Sequence, residues 1–173
     1  MGWGGVMQPK RAREPRLVAD AMLGRLARWL RILGYDTLYD TRWSDNQLVR
    51  LARAQDRILL TRDVALARRR GVRTLFVVDD HVERQLHQVM ANLGLSAEAS
   101  FSRCPVCNER LEDVPRSWAW GHVPPYTFCT QREFRLCPRC NRFYWRGTHW
   151  QRMRRAVADL QGIEEKSGAG AEN

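Results

Sequence analysis

Aspartates recur in this sequence within two residues of the ends of short apolar runs, and their chemistry suits metal binding. The acids in these positions are Asp20, Asp40, Asp63, Asp79 and Asp80. If the runs are parallel strands, the ends of those strands meet along one edge of the sheet. Carboxylates that converge there repel one another unless a cation lies between them, and carboxylate oxygens suit Mg²⁺ or Mn²⁺. The pattern predicts a divalent-metal site at that edge, centred on Asp20 and Asp63.

A structural role remains open for some of these acids. An aspartate after a strand often caps the next helix, which is the alternative for Asp40 and Asp79. Asp45 follows Ser44 and is equally suited to be a first-turn acid of a helix. Asp36 and Asp56 precede strands, so they belong to the opposite edge and are left out of the predicted site.

Four of the five cysteines form two C-P-x-C pairs separated by 29 residues, and they are Cys104, Cys107, Cys137 and Cys140. Two such pairs supply four thiolates, the ligand set of a closed structural Zn²⁺ site. A redox-active pair is the alternative, but the surrounding segment has no βαβ pattern. Cys129 is left over, and we expect it to be a buried apolar residue with an accessory ligand role as the alternative. The four histidines lack ligand spacing among themselves.

The elements that must position these residues alternate along the first half of the chain. Apolar runs lie at 17–19, 36–39, 57–61 and 73–78, and helix-period segments follow at 21–33, 45–54, 64–70 and 82–93. This alternation predicts an α/β fold with a parallel sheet flanked by helices, followed by a small zinc-ribbon module. The expected divisions are a flexible basic leader at 1–16, an α/β domain at 17–95, a zinc ribbon with a terminal helix at 101–160 and a flexible tail at 161–173.

The ends of the helices are marked by specific residues. Ser44 and Gln47 form a capping-box pattern at the start of the second helix. Gly71 and Gly94 are expected to end the third and fourth helices. In the first helix Arg25, Arg28 and Arg31 are three residues apart and are expected to form one ridge.

The charge of the chain points to a polyanionic partner. The chain has 173 residues and a formal net charge of +10. Nearly all of its basic residues are arginines, whose planar fork suits phosphate. No apolar run is long enough for a membrane span, and paired cysteines without a disulfide pattern suit a reducing, cytoplasmic location.

Arginines and aromatic residues interleave after the second cysteine pair, in a pattern typical of single-stranded RNA binding. The candidate RNA contacts there are Arg142, Trp145, Arg146 and Arg152. A small ribbon with few aliphatic residues also fills its core with aromatics, and for Phe143, Tyr144 and Trp145 that alternative remains open.

Taken together, these motifs resemble a known family. The segments are D-x-M-L-G-R-L-A-R-W-L-R-x-L-G-Y-D, then I-L-L-T-R-D, C-P-x-C and Y-W-x-G-x-H-W. They are similar to the Mut-seven C-terminal RNase family over about residues 17–155. The resemblance implies a PIN-like α/β nuclease fold with an appended zinc ribbon, and cleavage of RNA by acids around Mg²⁺ or Mn²⁺.

The same resemblance assigns the acids. Asp20 matches the acid that ends the first strand, Asp45 the acid at the start of the second helix, and Asp63 the acid of T-R-D. The fourth acid is Asp79, Asp80 or Asp40, with Asp80 preferred and Asp40 matching no motif of the family. Arg25, Arg28 and Arg62 are expected near that edge, where they could clamp phosphates. The alternatives are a non-catalytic RNA- or ribosome-binding adaptor and a toxin-type PIN ribonuclease of a toxin–antitoxin pair.

Overall fold

The first half of the chain forms a four-stranded parallel sheet. The computed structural model describes residues 14–96 and 101–148, together with Trp150, Gln151 and Arg155. The strands are β1 (Arg16–Ala19), β2 (Thr37–Tyr39), β3 (Arg57–Thr61) and β4 (Thr74–Phe76), and their order in the sheet is β2-β1-β3-β4. The predicted α/β fold with a parallel sheet is therefore confirmed.

Helices cover both faces of this sheet. A 3₁₀ turn (Ala21–Leu23) leads into α1 (Gly24–Ile32), and α2 (Asp45–Ala54), α3 (Val64–Ala67) and α4 (Val82–Leu93) follow. Successive strand residues point to opposite faces. Leu17 and Leu60 therefore join the core beneath α1 and α4. Val18 and Leu59 join the core beneath α2 and α3.

Most helix ends agree with the predictions, and α3 differs. The backbone N–H of Ser44 donates to Gln47 Oε1 at 2.8 Å at the start of α2. Gly94 caps α4 in the left-handed conformation. The expected third helix at 64–70 is too long, because α3 ends at Ala67 and Gly71, with a φ of 73°, lies in the turn beyond it.

The outer parts of the chain are described only in part. The predicted leader at 1–16 lies outside the described residues except for its last three, of which Arg16 begins β1. The predicted tail at 161–173 also lies outside them. Among the residues that the structure describes, none of the helices has the length and apolar character needed to cross a bilayer.

The second half forms a three-stranded antiparallel sheet, with β5 (Glu112–Val114), β6 (Phe134–Cys137) and β7 (Arg142–Tyr144) in that order. Another 3₁₀ turn (Arg116–Ala119) and α5 (Pro125–Thr130) connect β5 to β6. Ala119, Val123 and Phe134 form its small core. Cys129 is exposed on α5, so the expectation of a buried residue is wrong.

The second half of the chain, from residue 101 onwards and called the ribbon, packs against the edge strand β2. The backbone N–H of Thr37 donates to Asn108 Oδ1 at 3.0 Å, and the C=O of Thr37 accepts from Arg31 Nε at 2.7 Å. Arg31 Nη1 also donates to the carbonyl of Val106 at 2.9 Å. Edge strands leave backbone groups unpaired, and at Thr37 the ribbon satisfies the N–H whereas Arg31 of α1 satisfies the carbonyl. Arg31 is therefore buried and lies outside the exposed ridge predicted from its spacing.

Candidate active site and metal centre

The sheet topology places a crevice at the carboxyl ends of the two central strands. β1 is followed by α1 on one face, whereas β3 is followed by α3 on the other face. The two connections therefore diverge, and the gap between them is where open α/β sheets place their ligands. Asp20 follows β1 and Asp63 closely follows β3, so both acids border this crevice.

Asp20 is buried and is held by neutral donors. Its side chain is 5% exposed. Its Oδ1 accepts from the backbone N–H of Met22 at 2.9 Å. Its Oδ2 accepts from the Thr61 hydroxyl and from the backbone N–H of Arg62, the latter at 3.1 Å. Both oxygens are therefore oriented by short contacts, but none of these donors carries a formal charge.

Asp63 is linked to the same threonine. The backbone N–H of Asp63 donates to Thr61 Oγ1 at 2.9 Å, and Asp63 Oδ1 caps α3 by accepting from Leu66 N at 2.9 Å. The capping role that an aspartate after a strand often has is thus present here. The side chain is exposed at the rim of the crevice, where it also remains open to a ligand.

Pairing with cations distinguishes the acids of this edge. Asp40, which follows β2, pairs with Arg42 at 2.7 Å, and Asp79 lies 3.4 Å from Arg84. Within the part of the chain that the structure describes, Asp20 and Asp63 form no ion pair. In an arginine-rich chain this leaves the acids beside the two central strands available to a bound cation, whereas Asp40 is already neutralised.

The hydrogen bonds from Arg42 hold the pKa of Asp40 at about 2. The pKa of Asp79 is also about 2, first because the backbone N–H of His81 donates to its carboxylate and then because Arg84 lies nearby. Both carboxylates are therefore ionised and already have partners. The pairing of Asp40 with Arg42 disfavours Asp40 as the fourth acid of the site.

Asp45 is the first residue of α2 and is exposed. Two groups of three or more ligand-type side chains in the described residues have donor atoms within 4.8 Å of one another. Neither group includes Asp20, Asp45 or Asp63. Asp20, Asp45 and Asp63 thus share an edge of the sheet, but their carboxylates do not form one compact group of ligand atoms.

One of those two groups contains Asp79, Asp80 and His81. His81 Nδ1 lies 2.7 Å from Asp80 Oδ1 and 3.3 Å from Asp79 Oδ1. The group could hold a metal ion, although Asp80 and His81 are both exposed. The spacing among the histidines gives no reason to predict His81 as a metal ligand. The signal that could have identified it is its position directly after Asp79 and Asp80.

The other group is the predicted cysteine site. The four Sγ atoms of Cys104, Cys107, Cys137 and Cys140 lie within 4.8 Å of one another. Those of Cys107 and Cys137 are 3.5 Å apart. Four sulfurs at about 2.3 Å from a tetrahedral Zn²⁺ would be separated by roughly 3.8 Å, so the spacing fits this ion. Asn108 and Asn141, each directly after a pair, have positive φ values of 69° and 52° that close the two knuckles.

The electrostatics of the thiols also favour a cation. Burial raises the pKa of Cys104, but hydrogen bonds from Tyr144 and from the backbone of Cys107 and Val106 outweigh it and bring the pKa to about 7. The pKa of Cys140 is raised to about 12, first by its hydrogen bond to Cys107 and then by burial. Four thiolates cannot coexist at this spacing without a positive charge among them.

The predicted RNA contacts fall in two places. Arg25 and Arg28 are exposed on α1, and Arg62 lies at the crevice beside Asp20. Arg142 and Trp145 line a groove of the ribbon together with Arg28. Arg146 lies over the ring of Trp150 at 5.3 Å, and Arg152 lies outside the described residues.

Asp36 is a structural residue that the sequence analysis left out of the site. Its carboxylate pairs with Arg57 at 2.8 Å and accepts from Asn108 Nδ2 at 2.7 Å. It thus ties the start of β2 to β3 and to the first knuckle of the ribbon. Burial opposes its ionisation, yet the hydrogen bonds from Arg57 and Asn108 lower its pKa below the ordinary value.

The family model of the Mut7-C RNAse domain matches residues 15–157, which include both the sheet and the cysteine cluster. No curated protein and no solved structure matches the chain.

Proposed function

The chain belongs to the Mut7-C RNAse domain family, and we propose that it is a divalent-metal-dependent ribonuclease whose acids lie at the carboxyl edge of the sheet. Membership of this family supports a nuclease or RNA-related function. Metal dependence, endonucleolytic cleavage and the assignment of individual residues go beyond it and form the proposal. The division into an α/β domain at 17–95 and a ribbon at 101–160 is part of the same proposal.

The observation that carries the proposal is the environment of Asp20. A buried carboxylate normally pairs with a cation, since leaving its charge uncompensated is costly. Asp20 instead has only neutral donors, in a chain of net charge +10. These donors orient both oxygens, and a metal ion would complete the set.

The spread of the acids suits Mg²⁺ or Mn²⁺ bound through substrate. Mg²⁺ commonly retains several waters and takes only one or two carboxylates together with phosphate oxygens. Asp20 and Asp63 would hold such an ion directly, and Asp45 would contribute from the start of α2. The fourth acid would be Asp80, with Asp79 as the alternative.

When bound, the ion supplies Lewis-acid stabilisation of a phosphate oxygen and lowers the pKa of the water that attacks phosphorus. The Thr61 hydroxyl donates a hydrogen bond to Asp20 and so fixes the rotamer of that side chain. The same hydroxyl oxygen accepts a hydrogen bond from the backbone N–H of Asp63. Arg62 follows directly, and its guanidinium would pair with a phosphate next to the scissile bond. Arg25 and Arg28 would bind neighbouring phosphates from α1.

The zinc ribbon would act through structure and RNA contact. Cys104, Cys107, Cys137 and Cys140 would hold Zn²⁺ as a closed site, because no position remains for water or substrate. Hydrogen bonds of Arg31, Asp36 and Asn108 join the ribbon to α1 and to the edge of the sheet, and these contacts would hold its surface beside the substrate.

The test is a cleavage assay on end-labelled RNAs of several classes. Purified protein is incubated without added metal and with Mg²⁺ or Mn²⁺, and zinc content is checked throughout. The proposal predicts cleavage only when a divalent ion is added. Salt-sensitive RNA binding without turnover under any metal would contradict the nuclease and support a non-catalytic RNA- or ribosome-binding adaptor.

A further inference from the structure

A groove of about 710 Å³ lies between α1 and the zinc ribbon. Arg28 and Ile32 of α1 form one wall, and Val106 of the first knuckle lies beside them. Arg142 and Trp145 of the ribbon form the opposite wall. This volume is within the range of small-ligand sites. The groove exists because the ribbon docks on β2 beside the end of α1, so neither half of the chain contains it alone.

The ribbon wall presents aromatic rings. Phe143 stacks on His122 with ring centroids 5.3 Å apart and an interplanar angle of 21°. Trp145 packs edge-on against Phe134 at 6.4 Å, yet it is only half-buried and also lines the groove. These aromatics therefore belong to the ribbon core and still offer ring surface to a ligand. The core alternative left open by the sequence is therefore confirmed in part for Phe143 and Trp145, and RNA contact by these residues stays a prediction.

Gly147 keeps Trp145 in this position. A Cβ atom at residue 147 would lie 2.9 Å from Trp145 Nε1, closer than side chains normally approach. Glycine thus allows the indole to lie against the backbone at the groove. A larger residue would displace the ring.

The positive charge of the groove favours an anionic ligand. Arg28 and Arg142 are exposed on opposite walls, and none of the described lining residues is acidic. Aromatic rings bordered by guanidinium groups fit a nucleobase and its phosphate. Duplex RNA keeps its bases stacked inside the helix, so only an unpaired nucleotide can place a base on these rings.

A path of arginines joins the groove to the acidic edge. α1 begins at Gly24, close to Asp20, and Arg28 lies about 6 Å further along the helix axis. Arg25 and Arg28 are three residues apart and exposed on neighbouring positions of one helix face. A strand held at Arg28 would therefore have its next phosphates near Arg25 and its backbone directed towards Asp20.

We propose that this groove binds an unpaired nucleotide of the substrate, so that the preferred substrate is RNA that is single-stranded beside the cleavage point. The base stacks on the aromatic wall and the flanking phosphates contact Arg28 and Arg142. This inference rests on the proposed ribonuclease function for its substrate, but its binding step is independent of cleavage.

The test measures binding with the full-length Asp20→Asn variant, which the proposed function predicts to be unable to cleave RNA. A single-stranded RNA carrying 2-aminopurine is titrated, and its matched duplex is titrated in parallel. Stacking on the aromatic wall should quench the 2-aminopurine fluorescence of the single strand, and the duplex should bind more weakly. In this background, Trp145→Ala should weaken single-strand binding about tenfold. Arg142→Ala should weaken single-strand binding less than Trp145→Ala does. It should also reduce the slope of log affinity against log salt concentration by about one.

Matched controls are available on the same module. Trp118 is 56% exposed, and Arg132 is also exposed; neither lines the groove. Trp118→Ala and Arg132→Ala should therefore leave the quenching unchanged. Because Trp145→Ala removes a core contact, a second variant fills the groove instead. Val106 is 42% exposed, so Val106→Trp should block the site and weaken binding without loss of zinc.

The two proposals fail in different ways. If Trp145→Ala and Val106→Trp bind the single strand as tightly as the controls, or if the duplex binds equally well, the groove is not the site of an unpaired nucleotide. That result leaves metal-dependent cleavage intact. If the groove variants lose binding as predicted while no RNA is cut under any metal, the nuclease proposal fails and the groove assignment stands.

Discussion

The hydroxyl of Thr61 donates a hydrogen bond to Asp20 Oδ2 across the two central strands. The two residues are 41 positions apart in the chain, and the parallel register of β1 and β3 brings them together. The same Thr61 oxygen accepts the backbone N–H of Asp63 at 2.9 Å. One side chain thus positions both of the acids that border the crevice.

Thr61→Val tests this positioning role, because it keeps the shape of the side chain and removes the hydroxyl. A hydrogen bond to a charged group contributes about 1.5–3 kcal/mol. We expect the single-turnover cleavage rate to fall roughly ten- to a hundredfold, with a higher metal concentration needed for half-maximal rate. Thr61→Ser retains the hydroxyl and should recover most of the rate. Equal rates for the valine and serine variants would contradict the role.

Zinc removal should unfold the ribbon and loosen its docking. Cys137→Ser removes one of the four ligands, so zinc content should fall, and the near-UV circular dichroism of the ribbon aromatics should be lost. The melting temperature of the whole chain should also fall, since Arg31 and Asn108 lose their anchored partners. Cys129→Ser is the matched control, because Cys129 is exposed outside the cluster. Retention of one zinc per chain by Cys137→Ser would argue against the four-cysteine site.

Asp36→Asn should destabilise the protein at neutral pH by about 3 kcal/mol, because it leaves the buried guanidinium of Arg57 without its charge partner. Since folding lowers the pKa of Asp36 below its ordinary value of 3.8, its stabilisation is complete above that value and is lost as pH falls through the lower folded-state pKa.

The difference between wild type and Asp36→Asn in denaturant titrations should therefore shrink under acid. Asp56→Asn is the control, since its pair with Arg73 is exposed and should contribute less than about 1 kcal/mol. A difference that stays constant down to the acid transition would exclude the carboxylate as its source.

Gly24→Ala should destabilise the protein although alanine is the better helix former. A Cβ at this position would lie 2.5 Å from Tyr39 Oη, so the ring must move, at a cost of about 1–3 kcal/mol. Removing the ring with Tyr39→Leu should cancel the effect, and Gly24→Ala made in that background should be neutral or stabilising. Equal losses in both backgrounds would show that the contact with Tyr39 is not the cause.

Local pattern was sufficient for the sheet and most of its helices. The apolar runs before Asp20 and Asp63 have the length of buried strands, and the helices between them have clear apolar stripes. The C-P-x-C pairs were equally informative, because the chemistry of four thiolates leaves few alternatives. Both signals are carried by residues that are close together in the chain.

Contacts between the two halves could not be predicted in this way. Arg31 has the spacing of an exposed ridge, but the ribbon covers it. Asp36 lies at the edge of the sheet opposite the acids, and nothing near it in sequence shows that Asn108 will reach it. Cys129 is a typical buried residue by type, and the short α5 leaves it on the surface. In each case the deciding partner is distant in the chain, or the element is too small to bury both faces.

The most direct test of the account compares Asp20→Asn with Asp56→Asn in single-turnover cleavage of one end-labelled RNA with Mn²⁺. Both changes remove one negative charge, but Asp56 is at the opposite edge of the sheet. We predict that Asp20→Asn lowers the rate at least about a hundredfold. Its RNA affinity, zinc content and melting temperature should stay near those of wild type, and Asp56→Asn should cut normally. Wild-type cleavage by Asp20→Asn would contradict the assignment of the active site to this edge.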